Sequence, residues 1–119
     1  MAVNKSTDYG KITITNNAIA TVVGDAAMEC YGVLGIVNRN SIRQKISELL
    51  KRGHYLNGIK VVSGNEKIEI TLNIAVAYGV KVTEVLREVQ KKVKYVVEKT
   101  LGVNVSKVNV YALDLKVIE

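Results

Sequence analysis

Lys67-Ile68-Glu69-Ile70-Thr71-Leu72-Asn73-Ile74-Ala75-Val76-Ala77-Tyr78 decides the fold. In an extended chain Ile68, Ile70, Leu72, Ile74 and Val76 share one face, and Glu69, Thr71, Asn73, Ala75 and Ala77 share the other. Side chains alternate across a strand with a period of two, so one face is covered and the other is wet or used for contact. Just upstream, Ile59 to Ser63 reads as a second strand, and Gly64 with Asn65 supplies a turn where positive backbone angles are cheap. The two strands make a β-hairpin.

On the C-terminal side, Val82, Val85, Leu86, Val89, Val93, Val96, Val97 and Leu101 hold a 3.6-residue stripe that ends at Gly102. This spacing predicts the longest helix over about Val82 to Leu101, with the glycine as its stop. Lys91, Lys92, Lys94 and Lys99 crowd its second half, where they suit the negative end of the helix dipole. A last strand, Val105 to Val117, shifts its apolar phase from Val108, Val110 and Ala112 to Leu113, Leu115 and Val117. Such a shift predicts a β-bulge near Ala112.

On the N-terminal side, Ile12 and Ile14 alternate with Lys11 and Thr13, a short half-buried strand over Gly10 to Thr15. Asn16 or Asn17 can cap the helix that follows, where Ile19, Val22, Val23, Ala26, Ala27 and Cys30 recur at helical spacing before Tyr31 and Gly32 end it. Val33 to Val37 reads as another strand. Ser41 and Gln44 have capping-box spacing, and Ile42, Ile46, Leu49 and Leu50 form the apolar face of a short helix running to Gly53. Its other face carries Arg43, Lys45, Lys51 and Arg52, with Glu48 as the only acid. The fold class is α+β: a mixed sheet of four or five strands with the two main helices on one face, plus the short basic amphipathic helix. Residues 1–8 read as a flexible N-terminus ahead of a single domain over 9–119.

At 119 residues the chain holds one core and leaves little room for a deep active site. An apolar fraction of 48% with 24% charged residues is that of a globular protein. The net charge of +6 permits attraction to RNA, DNA, anionic lipid or acidic proteins and selects none of them. No apolar run approaches the roughly 18 residues that cross a bilayer, and Met1 to Thr7 lacks the apolar middle of a secretory signal. A cytoplasmic location is the expectation. One cysteine and one histidine make neither an internal disulfide nor a zinc-type ligand set, so no metal or cofactor is expected.

Catalytic chemistry finds little to work with. Cys30 falls on the apolar stripe of the first helix, where a free thiol packs as a small hydrophobe. His54 follows a helix-ending glycine in a polar loop, and no acid is placed by sequence to orient it. Glu84 and Glu88, four apart on the long helix, and Glu66 and Glu69 in the hairpin are better explained by ordinary salt links. Walker and dinucleotide glycine patterns are absent from the sequence. The chain reads as non-enzymatic. Gly32 and Gly35 have the spacing of the loop by which KH domains clamp a nucleic-acid backbone, which keeps RNA binding open as an alternative beside plain sheet packing. Tyr-Gly pairs at Tyr9, Tyr31 and Tyr78 sit at junctions, where glycine relieves backbone strain. Tyr31 and Tyr78 are also candidates for one contact surface.

Tyr9, Gly10, Lys11, Ile12 and Ile14, then Val22, Val23, Gly24 and Ala27 leading to Cys30, Tyr31, Gly32, Val33 and Gly35, resemble the opening of the alkaline shock protein family. Tyr78 and Gly79, then Glu84, Val85, Val89, Gln90, Val93, Lys94 and Tyr95, then Val108, Asn109 and Val110 before Tyr111, resemble its second half. This family of general-stress or envelope-stress-response proteins of Gram-positive bacteria has membrane-anchored and short cytoplasmic members, and the chain is similar to the short kind. The resemblance implies non-enzymatic proteins that associate with partners or themselves near the inner membrane face, some linked to fatty-acid and phospholipid metabolism. It carries over no catalytic residues. The candidate interaction surface is Arg43, Lys45, Lys51 and Arg52 on the short helix, Lys91 and Lys94 on the long one, and Tyr31 and Tyr78. A protein partner, a second copy, a membrane anchor protein or an anionic membrane would be met there.

Overall fold

The elements in chain order are β1 (Ala2–Thr7), β2 (Gly10–Thr15), α1 (Asn16–Met28), β3 (Val33–Ile36), β4 (Ile59–Ser63), β5 (Lys67–Ala77), α2 (Val82–Leu101) and β6 (Asn104–Lys116). The computed structural model describes residues 2–38, 55, 58–64 and 67–116. The basic helix expected over 41–52, with Arg43, Lys45, Lys51 and Arg52, lies outside the described residues, as do His54, Asn65 and Glu66.

β5 is the axis of a mixed four-stranded sheet. It pairs in parallel with β6 along its whole length, from Lys67 against Asn104 to Ala77 against Lys116. Its other side meets two antiparallel strands in turn: β4 opposite Ile68 to Leu72, and β3 opposite Ile74 to Val76. β3 and β4 therefore lie end to end along one side of β5, and Asn73 marks the joint. The Asn73 carbonyl accepts from the Val37 N–H at 2.8 Å, and its N–H donates to the Gly58 carbonyl at 3.1 Å.

The alternation in β5 does what its pattern requires. Ile68, Ile70, Leu72, Ile74 and Val76 are buried in one cluster with Ile19, Ala20, Val23, Ala26 and Ala27 of α1 and Val85, Val89, Val93 and Val97 of α2. On the other face, the Asn109 amide donates to the Glu69 carboxylate at 2.9 Å and to the Thr71 hydroxyl at 3.4 Å. The expected bulge is present: Ile74 pairs with Ala112 but Ala75 pairs with Asp114, so Leu113 is the extra residue. A second irregularity skips Ser106, whose hydroxyl donates to the Ile68 carbonyl at 3.0 Å.

Within residues 1–8, expected as a flexible N-terminus, Ala2–Thr7 forms β1, paired antiparallel with β2. The strand expected over Gly10–Thr15 is β2, and β1 and β2 make a two-stranded sheet separate from the four-stranded one. Polar β1 has no alternation to read. Its register does the work: Val3 pairs with Ile14, the two apolar residues of the hairpin that pack against the core, and the Thr13 hydroxyl donates to Asn4 at 2.9 Å. Ile12 stays 49% exposed, so β2 has too little apolar surface to earn a place in the main sheet.

α1 is capped by Thr15, in extended conformation with ψ 156°, whose hydroxyl accepts from the Ala18 N–H at 3.2 Å. This corrects the choice of Asn16 or Asn17, since Asn16 is already the first helical residue. The helix ends at Met28, so Cys30 lies beyond it rather than on its stripe, partly buried, with Sγ donating to the Ala26 carbonyl at 3.6 Å. Gly24 has a packing role: a methyl group there would run into the buried ring of Tyr55. α2 has the bounds its stripe predicts, and Gly102, at φ +67°, stops it. The Lys5 ammonium donates to the Gly102 carbonyl at 2.7 Å, a cation at the negative end of the helix that ties the β1–β2 hairpin to α2.

Candidate functional site

Three Tyr-Gly pairs share one local geometry. Tyr9, Tyr31 and Tyr78 are 102%, 86% and 70% exposed. The following glycines, Gly10, Gly32 and Gly79, hold φ of +136°, +88° and +99°, values that L side chains rarely adopt. At each site the chain turns sharply and leaves the preceding tyrosine in water. Two of the three are brought together. The Gly32 carbonyl accepts from the Ala77 N–H at 2.9 Å, extending the β3–β5 ladder beyond the Val33–Val76 pair. Tyr31 and Tyr78, the next residues on each chain, therefore leave the sheet at the same end.

A cleft of about 490 Å³ opens at this end, between the terminus of α1 and the start of α2. Val80, Val85 and Cys30 supply its apolar part, and Tyr31, Glu29, Lys81, Glu84, Glu88 and Lys92 its polar part. Gly32 is required for this packing, because a Cβ there would sit 2.9 Å from Val85 Cγ2. Lys92 on α2 meets Glu29 at 3.3 Å and joins the two helices across the cleft, while Lys81 and Glu84 pair at 3.4 Å within one turn. Both pairs are well exposed, so each adds little stability. They set charge instead: three carboxylates face two ammoniums, in a chain whose net charge is +6.

The Cys30 thiol is pushed above its ordinary 9.0 by burial. Lys92 pulls it back, and Glu88 and Glu29 add to the rise. It stays protonated near neutral pH, which suits its role as donor to Ala26 and denies it the thiolate that nucleophilic chemistry needs.

Tyr31 and Tyr78 thus lie at the same end of the sheet, and of the two only Tyr31 lines the cleft. Lys91 and Lys94 are exposed on α2 but line no part of this cleft. The α2 lysine that does is Lys92, a member of the expected lysine cluster but not of the expected interaction surface, and its partner Glu29 is far away in the chain. Its only signal was helical spacing: Glu84, Glu88 and Lys92 recur every four residues and share one side of α2. Gly32 to Gly35 does not form a loop between two helices. Gly35 is buried inside β3 opposite Ala75, so the backbone clamp that the RNA alternative relied on is not built here.

Among the described residues a mixed sheet, two helices and a two-stranded hairpin make a small α+β protein with Tyr31 and Tyr78 exposed at one end. The chain belongs to the alkaline shock protein 23 family, described as having a cell envelope-related function, whose profile matches residues 4–117. It is 40% identical over 117 residues to the uncharacterized protein YloU of Bacillus subtilis, covering 98% of each chain. It is 36% identical over 118 residues to the uncharacterized protein Spy1614 of Streptococcus pyogenes, covering 99% of this chain and 98% of that one. No solved structure matches it. Among the described residues no helix is long and apolar enough to cross a membrane.

Proposed function

We propose that the chain is a non-enzymatic interaction module of the cell envelope, cytoplasmic and working at the inner membrane face in stress response, and that its tyrosine end is the contact surface. One observation carries this reading: Tyr31 and Tyr78, 86% and 70% exposed, leave the sheet at the same end, where Tyr31 lines a cleft whose apolar part is Val80, Val85 and Cys30. Two aromatic rings fixed in water by positive-φ glycines are what a protein contact buries, since tyrosine brings large area with few rotamers to freeze. The exposed Lys91 and Lys94, together with Arg43, Lys45, Lys51 and Arg52 beyond the described residues, offer positive charge to an anionic membrane or an acidic partner such as a membrane anchor. A link to fatty-acid and phospholipid metabolism rests on the family resemblance alone.

The test is a Tyr31→Ala/Tyr78→Ala variant expressed at native level, followed by cell fractionation and size analysis of the gently lysed extract. The wild-type chain is expected in a complex larger than one copy, and the variant, folded by circular dichroism, is expected to leave that complex. An unchanged profile for a folded variant would refute the assignment of the tyrosine end.

A further inference from the structure

The β1–β2 hairpin is an arm. Val3 and Ile14 hold its base against the core, and every residue from Asn4 to Thr13 is exposed. Between the arm and the body of the protein opens a second pocket, of about 630 Å³, a size usual for small-molecule sites. It lies where α2 ends, whereas the tyrosine cleft lies against the first half of the same helix, which with 20 residues is about 30 Å long. The whole chain measures 54 × 28 × 20 Å, and the arm and the cleft mark its two poles.

β1 makes one wall of this pocket, the β4–β5 end of the main sheet a second, and the junction of α2 with β6 the third. Val3, Ile68 and Val103 supply its apolar part. Lys5 and Lys67 are its cations, and among the described residues no carboxylate lines it, in contrast to the cleft with its three. Ammoniums beside low-dielectric walls, with no acid to offset them, focus a positive potential. The carbonyl end of α2 would oppose an anion, but Lys5 already sits on the Gly102 carbonyl at 2.7 Å, using one of its three donors and leaving two. Lys67 is exposed and makes no ion pair among the described residues. Ser63 stands in the sheet wall, and its hydroxyl is shut off from solvent with no hydrogen-bond partner among the described residues. That is a costly state for a buried hydroxyl, and rotation about one bond toward an acceptor in the pocket would relieve it.

We propose that this pocket binds the phosphate group of a phosphate monoester, with Lys5 and Lys67 opposite its charges, the hydroxyls of Ser63 and Ser6 donating to its oxygens, and the carbon body of the ester against Val3 and Val103. A monoester carries between one and two negative charges near neutral pH and presents three terminal oxygens. Two ammoniums match that charge, and donors on separate walls match three oxygens better than the two coplanar oxygens of a carboxylate. The site is separate from the tyrosine end and does not depend on its being a contact surface. The phosphate can belong to a soluble ester or to a lipid headgroup.

Amide shifts of the 15N-labelled full chain, titrated with phenyl phosphate, inorganic phosphate and phenol, test this. Phenyl phosphate is expected to shift the amides of β1, Ser63, Gly64 and Asn104 to saturation, inorganic phosphate to do so more weakly, and phenol to leave them in place. Lys67→Gln and Ser63→Ala are each expected to weaken binding about tenfold, as loss of a hydrogen bond to a charged group does. Ser63→Ala deletes a buried hydroxyl without a partner, so its thermal midpoint should be unchanged or raised, which separates loss of ligand from loss of fold. Co-sedimentation with phosphatidylcholine vesicles, with and without phosphatidic acid, distinguishes the sources. Binding to the phosphatidic acid vesicles alone, reduced by Lys67→Gln and with no response to phenyl phosphate, assigns the phosphate to a lipid; a response to phenyl phosphate without vesicle binding assigns it to a soluble ester. No response in either arm, shifts as large at Lys91 and Lys94 as at the pocket, or either variant binding as the wild type does would overturn the proposal.

Discussion

Thr15 shows how far a single residue can be read. Thr, Asn and Asn follow one another, all competent caps, and the choice rests on which of them keeps an extended backbone while the next residue turns helical. That is fixed by where β2 hands the chain to α1, which no local pattern encodes. Thr15→Ala is expected to lower stability by about 1 kcal/mol in urea titrations, and Asn17→Ala by less than about 0.5 kcal/mol. Gly24 illustrates the opposite error, since alanine should favour a helix there by up to about 1 kcal/mol. The Tyr55 ring occupies the space, so Gly24→Ala is expected to destabilise by about 1–3 kcal/mol. Cys30 gives a test of charge. Its raised thiol pKa means that less thiolate exists at pH 7.5 than in an unfolded peptide, so alkylation of the native chain should be slower than that of the urea-unfolded chain. Lys92→Gln removes the charge that opposes the rise and should slow alkylation further. A faster reaction would contradict the electrostatics given for the cleft.

At the level of elements, legibility followed the strength of the periodicity. β5, α2 with its glycine stop, and the bulge beside Ala112 could all be read, because each carries a long apolar pattern or a clear break in one. β1 could not, since Val3 is its only large apolar residue and its pairing is made by the backbone. Nor could the end-to-end placement of β3 and β4, which depends on two separate strands choosing adjacent stretches of the same partner. α2 also protects the outer side of β6. Glu98 accepts from the Val105 N–H at 3.2 Å, and Gln90 donates to the Val108 carbonyl at 2.9 Å. Edge strands with unsatisfied backbone groups invite unwanted pairing, so these side chains blunt the edge at its start. Gln90→Ala with Glu98→Ala is expected to lose about 2 kcal/mol, roughly 1 for each hydrogen bond, in thermal or urea unfolding. Lys5→Ala should have a local effect: faster amide exchange at the end of α2 and in the arm, with exchange in β5 unchanged.

For the whole molecule, composition allows many binding partners and points to no particular surface. Tyr31 and Tyr78 could be singled out because a repeated Tyr-Gly pair is visible in a string of letters, and the fold places both, exposed, at one end of the sheet. The convergence of Glu29, Glu88 and Lys92 is not legible in the sequence, because it depends on α1 ending against α2. Lys91 and Lys94 drew notice as a charge cluster, yet only their neighbour reaches the cleft. What the fold adds is polarity along the long axis: the exposed Tyr9 turn at one pole, and at the other a cleft lined by Tyr31 and an excess of carboxylates, with Tyr78 exposed at the same end. The central claim is that the Tyr31–Tyr78 end is where this envelope-family protein meets other proteins. Its most direct test places a photo-cross-linking amino acid at position 78 in living host cells, with position 62 on the opposite face of the sheet as reference. Discrete adducts from position 78, stronger than those from 62 and lost on Tyr31→Ala, are the predicted result; equal or weaker cross-linking from position 78 would contradict it.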